Sequence, residues 1–479
     1  MIDENVLFAR FEDQTMLTFL PNVENYKYNP ANGWWAWDGR VWVGSGKDCP
    51  ELYAALVTLI ESVQSMVDDP GRMLDDDRKK KLKSYWKVNA ANIQRAITLM
   101  SSLPQYRTND IGIAEPLGMV NCRNGIINLA TGNVEPHDRA YGFTTIIDYE
   151  YTPNKHSQRW NEFLESSLPD PNVRVYLQEE LGYAMSGWRL HENIIMFIGS
   201  GRNGKGVITQ SINNLLGTMC ASTGPDTFRR GVAASGFEMA RIATARMWVI
   251  SEFGRTSAEA EMLKALSGGD RFSAAHKGLD PFEAPPVATM IISSNVTPKA
   301  LSPRDGALWM RLRCINFDVS FEGREDVYLK REIAEQFDGL FSWLIDGALR
   351  VTARERMSEN IPERVIIDTN SRRWEADQLN NFIQACVEER EGYYILPDTM
   401  EEAYKAWVSA DGGKAQYTKT ELARELKSGV YLPQKTYRQG SPAQGRKWAY
   451  YGYALTDEGI LMVNEQGYTN QHKETWNVR

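Results

Sequence analysis

The chain has 479 residues, of which 42% are hydrophobic and 24% charged, and its formal net charge is −8. This length exceeds what one hydrophobic core serves, so we expect about two to four domains in a globular protein. No apolar run reaches the roughly 18–20 residues of a membrane span, which excludes a helical membrane anchor, and the negative charge means that any DNA contact requires a local basic patch.

The cysteines and the first residues indicate the compartment. Five cysteines are spread over the chain, and none forms a Cys-x-x-Cys pair. This pattern argues against a zinc ribbon or a disulfide framework and fits a reducing environment. Residues 1–5 lack the basic and apolar regions of a signal peptide. We therefore expect a cytoplasmic protein with no membrane partner.

Residues 1–50 form an aromatic, β-rich segment in this interpretation. Between Gly33 and Val43, large side chains alternate around an Asp38-Gly39 pair, which predicts a β-hairpin. The tryptophans there admit two interpretations, a stacking platform for bases and a small aromatic core. The aromatic core is the favoured one.

Residues 51–187 are predicted to form a mostly helical domain. Apolar residues recur at helical spacing in residues 51–67, and a second amphipathic helix begins near Asp75. Turns and short strands are expected in residues 104–153, before a helical pattern resumes over residues 160–187.

The most informative stretch is residues 199–206, which match the pattern Gly-x-x-x-x-Gly-Lys in full. An apolar run precedes it and a helical pattern follows. Strand, glycine loop, lysine and helix are the order that a phosphate-binding loop requires, because backbone N–H groups, the helix dipole and the lysine converge on a polyphosphate. A flexible glycine loop is the alternative. The residues expected to bind ATP are Gly199, Gly201, Asn203, Gly204, Lys205, Gly206 and Val207.

Three further apolar strands are predicted at residues 246–252, 289–295 and 312–317, with helices between them. Strands that alternate with helices favour a parallel sheet, whose active groups lie at the carboxyl ends of the strands. Residues 188–318 are therefore predicted to form a parallel α/β nucleotide-binding core.

Candidate catalytic residues, in addition to the loop lysine, lie at or near these strands. Glu252 is placed to orient or activate the attacking water, and Asn295 is placed to bridge that water and the γ-phosphate. Arg311, and less readily Arg304 or Arg313, is placed to act as an arginine finger in the site of a neighbouring subunit.

Two substitutions bear on Mg²⁺, which is the expected cofactor beside ATP. Gly206 replaces the Ser or Thr that normally binds the metal, and Ser251 stands where many ATPases have a first acid. Ser251 and Glu252 are therefore the expected metal ligands at this strand end, with Asp270 as an alternative.

Residues 319–375 are predicted to be a helical lid or connection, and residues 376–479 to be a separate domain. Residues 414–447 hold eight Lys and Arg and only two acids. A capping box from Thr418 to Glu421 opens a helix, and residues 440–453 follow as a candidate hairpin. This order favours a winged-helix DNA-binding domain over a basic-surfaced helical cap by a small margin.

The run of motifs resembles superfamily 3 helicases of the phage/plasmid and poxvirus primase-helicase type. The segments that carry the resemblance are residues 199–205, 245–252, 263–270, 292–295 and 305–317, with further similarity at 124–132 and 181–183. It implies a helicase-associated or oligomerisation role for residues 51–187 and an AAA+-like P-loop ATPase core at residues 188–318. It also implies a hexameric ring that translocates on single-stranded DNA, typically in the 3′→5′ direction.

The same resemblance implies a pore hairpin between the second and third motifs. In this sequence the hairpin falls within residues 270–282, where His276 and Lys277 lie at the centre and Arg271 lies nearby. Such side chains can hold a DNA phosphate without reading bases. An exposed polar turn is the alternative.

Relatives of this type often carry an N-terminal primase. The residues before the loop show no clear cluster of metal-binding acids, so we expect primase activity to be absent or to come from a separate chain.

The predicted function is that of an ATP-dependent, ring-forming DNA helicase for a phage, plasmid or mobile element in the host-cell cytoplasm. Its expected partners are single-stranded and forked DNA, other copies of itself, and a primase or initiator. An ATP-switched initiator without processive unwinding is the alternative; a P-loop kinase is disfavoured by Asn295 and Arg311.

Overall fold

The computed structural model describes most of the chain. The described residues are 23–69, 74–224, 236–251, 260–275, 281–297, 303, 305–354, 360–410, 415, 417–428, 431–432, 437–439, 447–463 and 469–472. The chain divides into two compact units, which are Met1–Ala300 with Ala307–Thr369, and Leu301–Gly306 with Asn370–Arg479. Across the described residues, no helix is long and apolar enough to cross a membrane.

The first unit opens with an antiparallel sheet of three strands, which are β1 (Tyr26–Asn29), β2 (Gly33–Trp37) and β3 (Trp42–Gly46). Trp37 pairs with Trp42 across the turn that begins at Asp38, which confirms the predicted hairpin. Trp34 and Trp42 are buried. For these two side chains the structure favours the aromatic core over a stacking platform.

Helices that pack with this sheet follow, and they are α1 (Pro50–Asp68), α2 (Asp76–Tyr85) and α3 (Ala90–Met100). Asp75 caps α2 by accepting a hydrogen bond from the Arg78 amide at 2.7 Å, and Asn89 caps α3 in the same way. The apolar face of α1 joins Trp34 and Tyr106 in a separate buried cluster. The amphipathic spacing of residues 51–67 is thereby explained.

A second small sheet and two helices lead to the centre of the unit. They are β4 (Met119–Cys122), β5 (Gly125–Asn128), β6 (Val134–Glu135), α4 (Gln158–Ser167) and α5 (Pro171–Ser186). The three strands are antiparallel, and the short strands and helices predicted for this region are confirmed. The described residues also include 3₁₀ helices at Val23–Asn25, Arg139–Tyr141 and Gly217–Met219.

In the residues that the structure describes, the central sheet has five parallel strands, of which the sequence predicted four. In chain order the elements are β7 (Ile194–Ile198), α6 (Lys205–Leu216), β8 (Cys220–Thr223), α7 (Gly236–Ala243), β9 (Met247–Ser251), α8 (Ala260–Gly268), β10 (Phe272–Ala274), β11 (Phe282–Ala284), β12 (Thr289–Ser294), α9 (Gly306–Trp309) and β13 (Leu312–Asn316). The strand order is β13-β7-β12-β9-β8, and each neighbouring pair is parallel. The predicted parallel α/β sheet is confirmed. The sequence did not predict β8, because its four small and polar residues form no apolar run.

After the sheet come α10 (Leu329–Ala334), α11 (Phe337–Thr352) and α12 (Glu363–Glu375). Helices α5 and α11 approach closely through two glycines. A Cβ atom on Gly182 would lie 2.3 Å from the Ala348 nitrogen, and one on Gly347 would lie 2.2 Å from the Gln178 oxygen. Side chains of β5, α5, β7 and α11 share one buried cluster, so the central sheet and the segments before and after it form a continuous core.

A buried arginine joins the earlier part of this unit to the central sheet. Arg246 precedes β9, is fully buried, and donates a hydrogen bond to the Pro116 carbonyl oxygen. A Cβ atom on Gly187 would lie 1.6 Å from its guanidinium, so only glycine leaves room for it. Burial lowers the pKa of Arg246 to about 10, and the buried Glu115 carboxylate partly offsets this.

The second unit combines helices with an antiparallel sheet. In chain order its elements are α13 (Gln378–Cys386), β14 (Val387–Ile395), α14 (Pro397–Ala410), α15 (Lys419–Lys427), β15 (Tyr437–Gln439), β16 (Lys447–Leu455), α16 (Asp457–Leu461) and β17 (Gln471–His472). The strand order is β15-β16-β14-β17. The predicted capping box of Thr418 and Glu421 opens α15, and β15 pairs with β16 as the strands of a hairpin do. The sequence did not predict β14.

Candidate nucleotide-binding site

The glycine-rich loop lies at the carboxyl end of β7, between that strand and the first turn of α6. Its backbone is left-handed at three positions, with φ of 107° at Gly201, 48° at Arg202 and 95° at Gly204. Left-handed turns of this kind direct successive N–H groups into one concavity, and the α6 N-terminus adds its positive dipole end. The loop therefore has the backbone conformation of an anion-binding site.

The loop is packed tightly against its surroundings at its start. Asn203 is buried and donates a hydrogen bond to the Phe317 carbonyl oxygen at 3.1 Å. A Cβ atom on Gly199 would lie 2.0 Å from the Asn203 amide nitrogen and 2.6 Å from that same carbonyl oxygen. Gly199 is thus required by the close approach of the loop to the chain after β13.

Lys205 is buried, and its partners are neutral. Its Nζ donates to the Gly199 carbonyl oxygen at 2.6 Å and to the Asn203 Oδ1 at 3.0 Å. Within the described part of the chain, no carboxylate pairs with it. Burial lowers the pKa of Lys205 to about 8, because a cation without a counter-ion is poorly solvated there. A bound anion would supply the missing charge.

The strand ends next to the loop carry polar side chains. Ser294 lies opposite Ile198 in the register of β12 and β7, and Ser251 lies opposite Ser293 in that of β12 and β9. Asn295 follows β12 directly. Since parallel strands end at the same edge, Ser251 and Asn295 lie at the edge that carries the loop.

These elements line one cleft of about 830 Å³, which is within the range of small-molecule sites. One wall consists of loop residues 201–207 with Ser251 and Asn295. The other consists of α4 and residues 321–330. The structure thus brings together Lys205, Ser251 and Asn295, as the sequence predicted. Glu252, the expected water-activating acid and metal ligand, lies outside the described residues.

The sequence predicted a helical lid or connection over residues 319–375, but it did not predict that α4 and residues 321–330 together form this second wall. This wall is organised by Arg159, whose guanidinium pairs with Glu332 at 2.6 Å, with Glu162 at 3.5 Å and with Asp326. These residues belong to α4 and to the chain around α10, which no motif connects with the loop. Only the packing of the folded unit places them there.

The residues of the cleft fit the two expected ligands, the polyphosphate of ATP and the Mg²⁺ ion, to different degrees. The loop and Lys205 fit a polyphosphate. Among the described residues, no group of three or more His, Cys, Asp or Glu could hold a metal ion by itself. Mg²⁺ usually keeps several waters and binds substrate phosphates with one or two protein ligands, so Ser251 is compatible with this role. A Cβ atom on Gly206 would meet nothing within 4 Å, so the missing hydroxyl reflects no lack of space.

The candidate arginine finger lies at the opposite edge of the sheet. The Ile194 amide at the start of β7 donates to the Arg311 carbonyl oxygen at 2.8 Å, whereas the loop follows the end of β7. The Arg311 guanidinium pairs with Glu192 and donates to the Ala307 carbonyl oxygen at 3.0 Å. Arg311 is therefore distant from the loop of its own chain. The alternative Arg304 lies outside the described residues.

Arg313, the remaining alternative for the finger, turns toward the protein backbone. Its guanidinium donates to the carbonyl oxygens of Met310 at 2.7 Å and Leu312 at 3.0 Å.

The candidate DNA-binding hairpin is described at its two strands. Phe272 of β10 pairs with Ala284 of β11 in an antiparallel register. Arg271 lies at the base of this hairpin and donates to the Glu283 carbonyl oxygen at 2.7 Å. His276 and Lys277, at the predicted tip, lie outside the described residues.

Two protein-family models match the chain. One, described as D5 N-terminal like, covers residues 16–169, and the other, described as a family of unknown function (DUF5906), covers residues 197–311. The second match contains the glycine-rich loop and reaches Arg311, and the first ends just after α4.

Two curated viral proteins resemble part of the chain. The candidate helicase 022R of frog virus 3 (isolate Goorha) is 23% identical over 269 residues, which are 52% of this chain and 28% of the viral protein. The candidate helicase L207/L206 of Acanthamoeba polyphaga mimivirus is 23% identical over 211 residues, which are 42% of this chain and 22% of the viral protein. The matched region thus spans about a quarter of the length of these relatives.

Solved structures of the NrS-1 C-terminal region also align with the chain. The apo structure of its residues 305–718 covers 94% of this chain and 100% of its own length at 12% identity, with a TM-score of 0.43. An A-form apo structure covers 64% and 78% at 13% identity, with a TM-score of 0.38. From the sequence matches, the D5 N-terminal-like segment and the viral relatives support a distant relation to a viral primase-helicase-like family.

Proposed function

We propose that the protein is an ATP-hydrolysing DNA helicase of the superfamily 3 type that serves the replication of a phage, plasmid or related mobile element. The observation that carries this proposal is the buried Lys205 ammonium group, which lies in a left-handed glycine loop beside a cleft and has neutral partners. A nucleoside triphosphate supplies the charge that this site lacks. The relatives named as candidate helicases support the unwinding of DNA.

The strand-end residues take the remaining roles in ATP hydrolysis. Asn295 contacts the γ-phosphate and the attacking water, and Glu252, which follows Ser251, orients or activates that water. Ser251 and Glu252 would help to hold the Mg²⁺ ion that accompanies ATP, and the metal would offset negative charge on the phosphates. The location of Ser251 and Asn295 in the cleft supports these assignments.

The proposal includes a ring of identical subunits, with six as the expected number. Arg311 lies at the sheet edge opposite to the loop of its own chain. A nucleotide that it contacts therefore belongs to a neighbouring subunit, as an arginine finger supplied in trans requires. The ring would move on single-stranded DNA in the 3′→5′ direction. Lys277, His276 and Arg271 of the β10–β11 hairpin would contact the DNA phosphates.

The second unit is proposed to be a winged-helix DNA-binding domain. Its elements follow the order helix, strand, helix, helix, strand, strand from α13 to β16, and β16 pairs with both β15 and β14. Residues 414–447, which contain helix α15 and strand β15 and reach the start of β16, hold eight of the fifteen Lys and Arg of this unit's sequence. Recruitment of a separate primase or initiator belongs to the same proposal.

The substitution Lys205→Ala tests the function directly. We expect it to weaken ATP binding and to lower both ATP hydrolysis and unwinding of forked DNA by at least about tenfold, because a charge-assisted contact to phosphate is lost. The measurements are calorimetric ATP titration, phosphate release and a strand-displacement assay. Lys80→Ala, an exposed lysine on α2, is the matched control and should behave as the wild type.

Two results would decide against the proposal. Hydrolysis that persists in the Lys205→Ala protein would remove the loop from the mechanism. DNA-stimulated hydrolysis by the wild type without strand displacement would favour the ATP-switched initiator instead.

A further inference from the structure

The glycine-rich loop presents a second cation to the nucleotide cleft. Arg202 precedes the buried Asn203, and it lines the cleft together with Glu325 from the opposite wall. Their side chains form an ion pair, with 2.6 Å between the guanidinium nitrogen and the carboxylate oxygen. The sequence did not single out Arg202, because the loop pattern allows any residue at this position.

The Arg202 guanidinium retains most of its hydrogen-bonding capacity. A guanidinium carries five N–H donors, and in the part of the chain that the structure describes, one of them is used, in the bond to Glu325. Its side chain is 63% exposed. Arg159 on the opposite wall is different, because carboxylates of three residues surround it. Arg324, which also lines the cleft, donates to the Ser320 carbonyl oxygen at 2.8 Å. Arg202 is therefore the arginine of the glycine-rich loop itself that has N–H donors available to a further anion.

We infer that Arg202 is a phosphate-binding residue of this site and that Glu325 competes with the phosphate for it. The inference rests on the proposed function, since the ligand is a nucleoside polyphosphate. A phosphate group binds the planar guanidinium in the same bidentate manner as a carboxylate. Polyphosphate bound in the loop carries more negative charge than Glu325, and the exposed ion pair that it replaces is weak.

When phosphate replaces Glu325 as the partner of Arg202, the second wall of the cleft keeps its position. The Phe321 amide donates to the Arg202 carbonyl oxygen at 2.8 Å, so the backbone stays attached to the loop when the side chain changes partner. Asp326 keeps its pairing with Arg159. Glu325 then lowers the affinity for nucleotide because it occupies Arg202 beforehand, and the phosphate must displace it.

A double-mutant cycle on Arg202 and Glu325 tests this competition. Glu325→Gln should tighten ATP binding about two- to fivefold, because it removes the competing charge. Arg202→Ala should weaken ATP binding about tenfold, because it removes a charged contact. In the Arg202→Ala background, Glu325→Gln should have little further effect, since the residue it competes for is absent. Calorimetric titration with ATP and with AMP measures all four proteins.

The controls separate competition from a change of fold or of general charge. Glu322→Gln removes the same charge from the same segment, at an exposed position outside the cleft lining, and should leave ATP affinity unchanged. AMP, which lacks the outer phosphates, should bind all variants alike. A purely structural ion pair predicts weaker ATP binding in Glu325→Gln, and this result would overturn the inference.

The failure of this inference can be distinguished from a failure of the proposed function. If the wild type and Glu325→Gln bind ATP equally while Lys205→Ala has lost binding, the competition is wrong and the ATP site stands. If the wild type binds no ATP, both proposals are overturned together.

Discussion

Burial lowers the pKa of Lys205 toward neutral pH, so the proposed binding of nucleotide should depend on pH. The pKa of the lysine is about 8 without a bound anion. The ammonium form binds phosphate, so affinity is full below that pKa and falls as the pH rises through it. Between about pH 7 and about pH 9.5 we expect the dissociation constant for ATP to rise about tenfold or more. Titration calorimetry over this range measures the effect.

A variant with a permanent charge provides the control for this pH dependence. Lys205→Arg keeps its charge over the whole range. Any ATP binding that this variant retains should therefore not weaken through loss of this charge as the pH rises. An equally steep decline in Lys205→Arg would assign the pH dependence to another group.

Two glycines of the loop are predicted to respond oppositely to the addition of a methyl group. Gly199→Ala places a Cβ atom 2.6 Å from the Phe317 carbonyl oxygen, so the loop must shift and ATP binding should fall by about tenfold or more. Gly206→Ala meets nothing within 4 Å and should bind ATP as the wild type does. Equal losses in the two variants would contradict the geometry of the loop. Circular dichroism checks that both proteins remain folded.

At the scale of elements, local chemistry determines what could be predicted from the sequence. Strand β7, the loop and α6 were predictable, because the apolar run, the glycines and the lysine are consecutive. The polar ends of β9 and β12 were predictable for the same reason. Strand β8 lacks an apolar run, and in β14 the charged residues 388–391 hide the alternating pattern. The second wall of the cleft depends on how α4 and residues 321–330 pack, which no local pattern encodes.

The β10–β11 hairpin leads to a prediction about which residues contact DNA. Lys277→Ala should leave basal ATP hydrolysis largely intact while it abolishes unwinding, because the residue is proposed to contact DNA phosphates rather than nucleotide. Phosphate release and strand displacement, measured on the same preparation, separate these effects. Unwinding at the wild-type rate would show that the hairpin is not the DNA-gripping element.

At the scale of the whole molecule, the position of Arg311 predicts cooperation between subunits. Lys205→Ala and Arg311→Ala should each lose most ATP hydrolysis when they are assayed alone. A mixture of the two should regain part of it, since some interfaces then join an intact loop to an intact arginine. Hydrolysis is measured across mixing ratios, and a mixture that never exceeds the average of its components would argue that each chain works alone.

The buried Arg246 has a consequence for experiments that shorten the chain. Its guanidinium is accommodated by Gly187 and donates to Pro116, so both contacts come from residues that precede β7. A fragment that starts at β7 would leave this cation without those partners and would also expose the apolar surface that α5 covers. Loss of activity on deletion of the N-terminal half would therefore be expected from damage to the central sheet, and point substitutions are the better way to assign functions to that half.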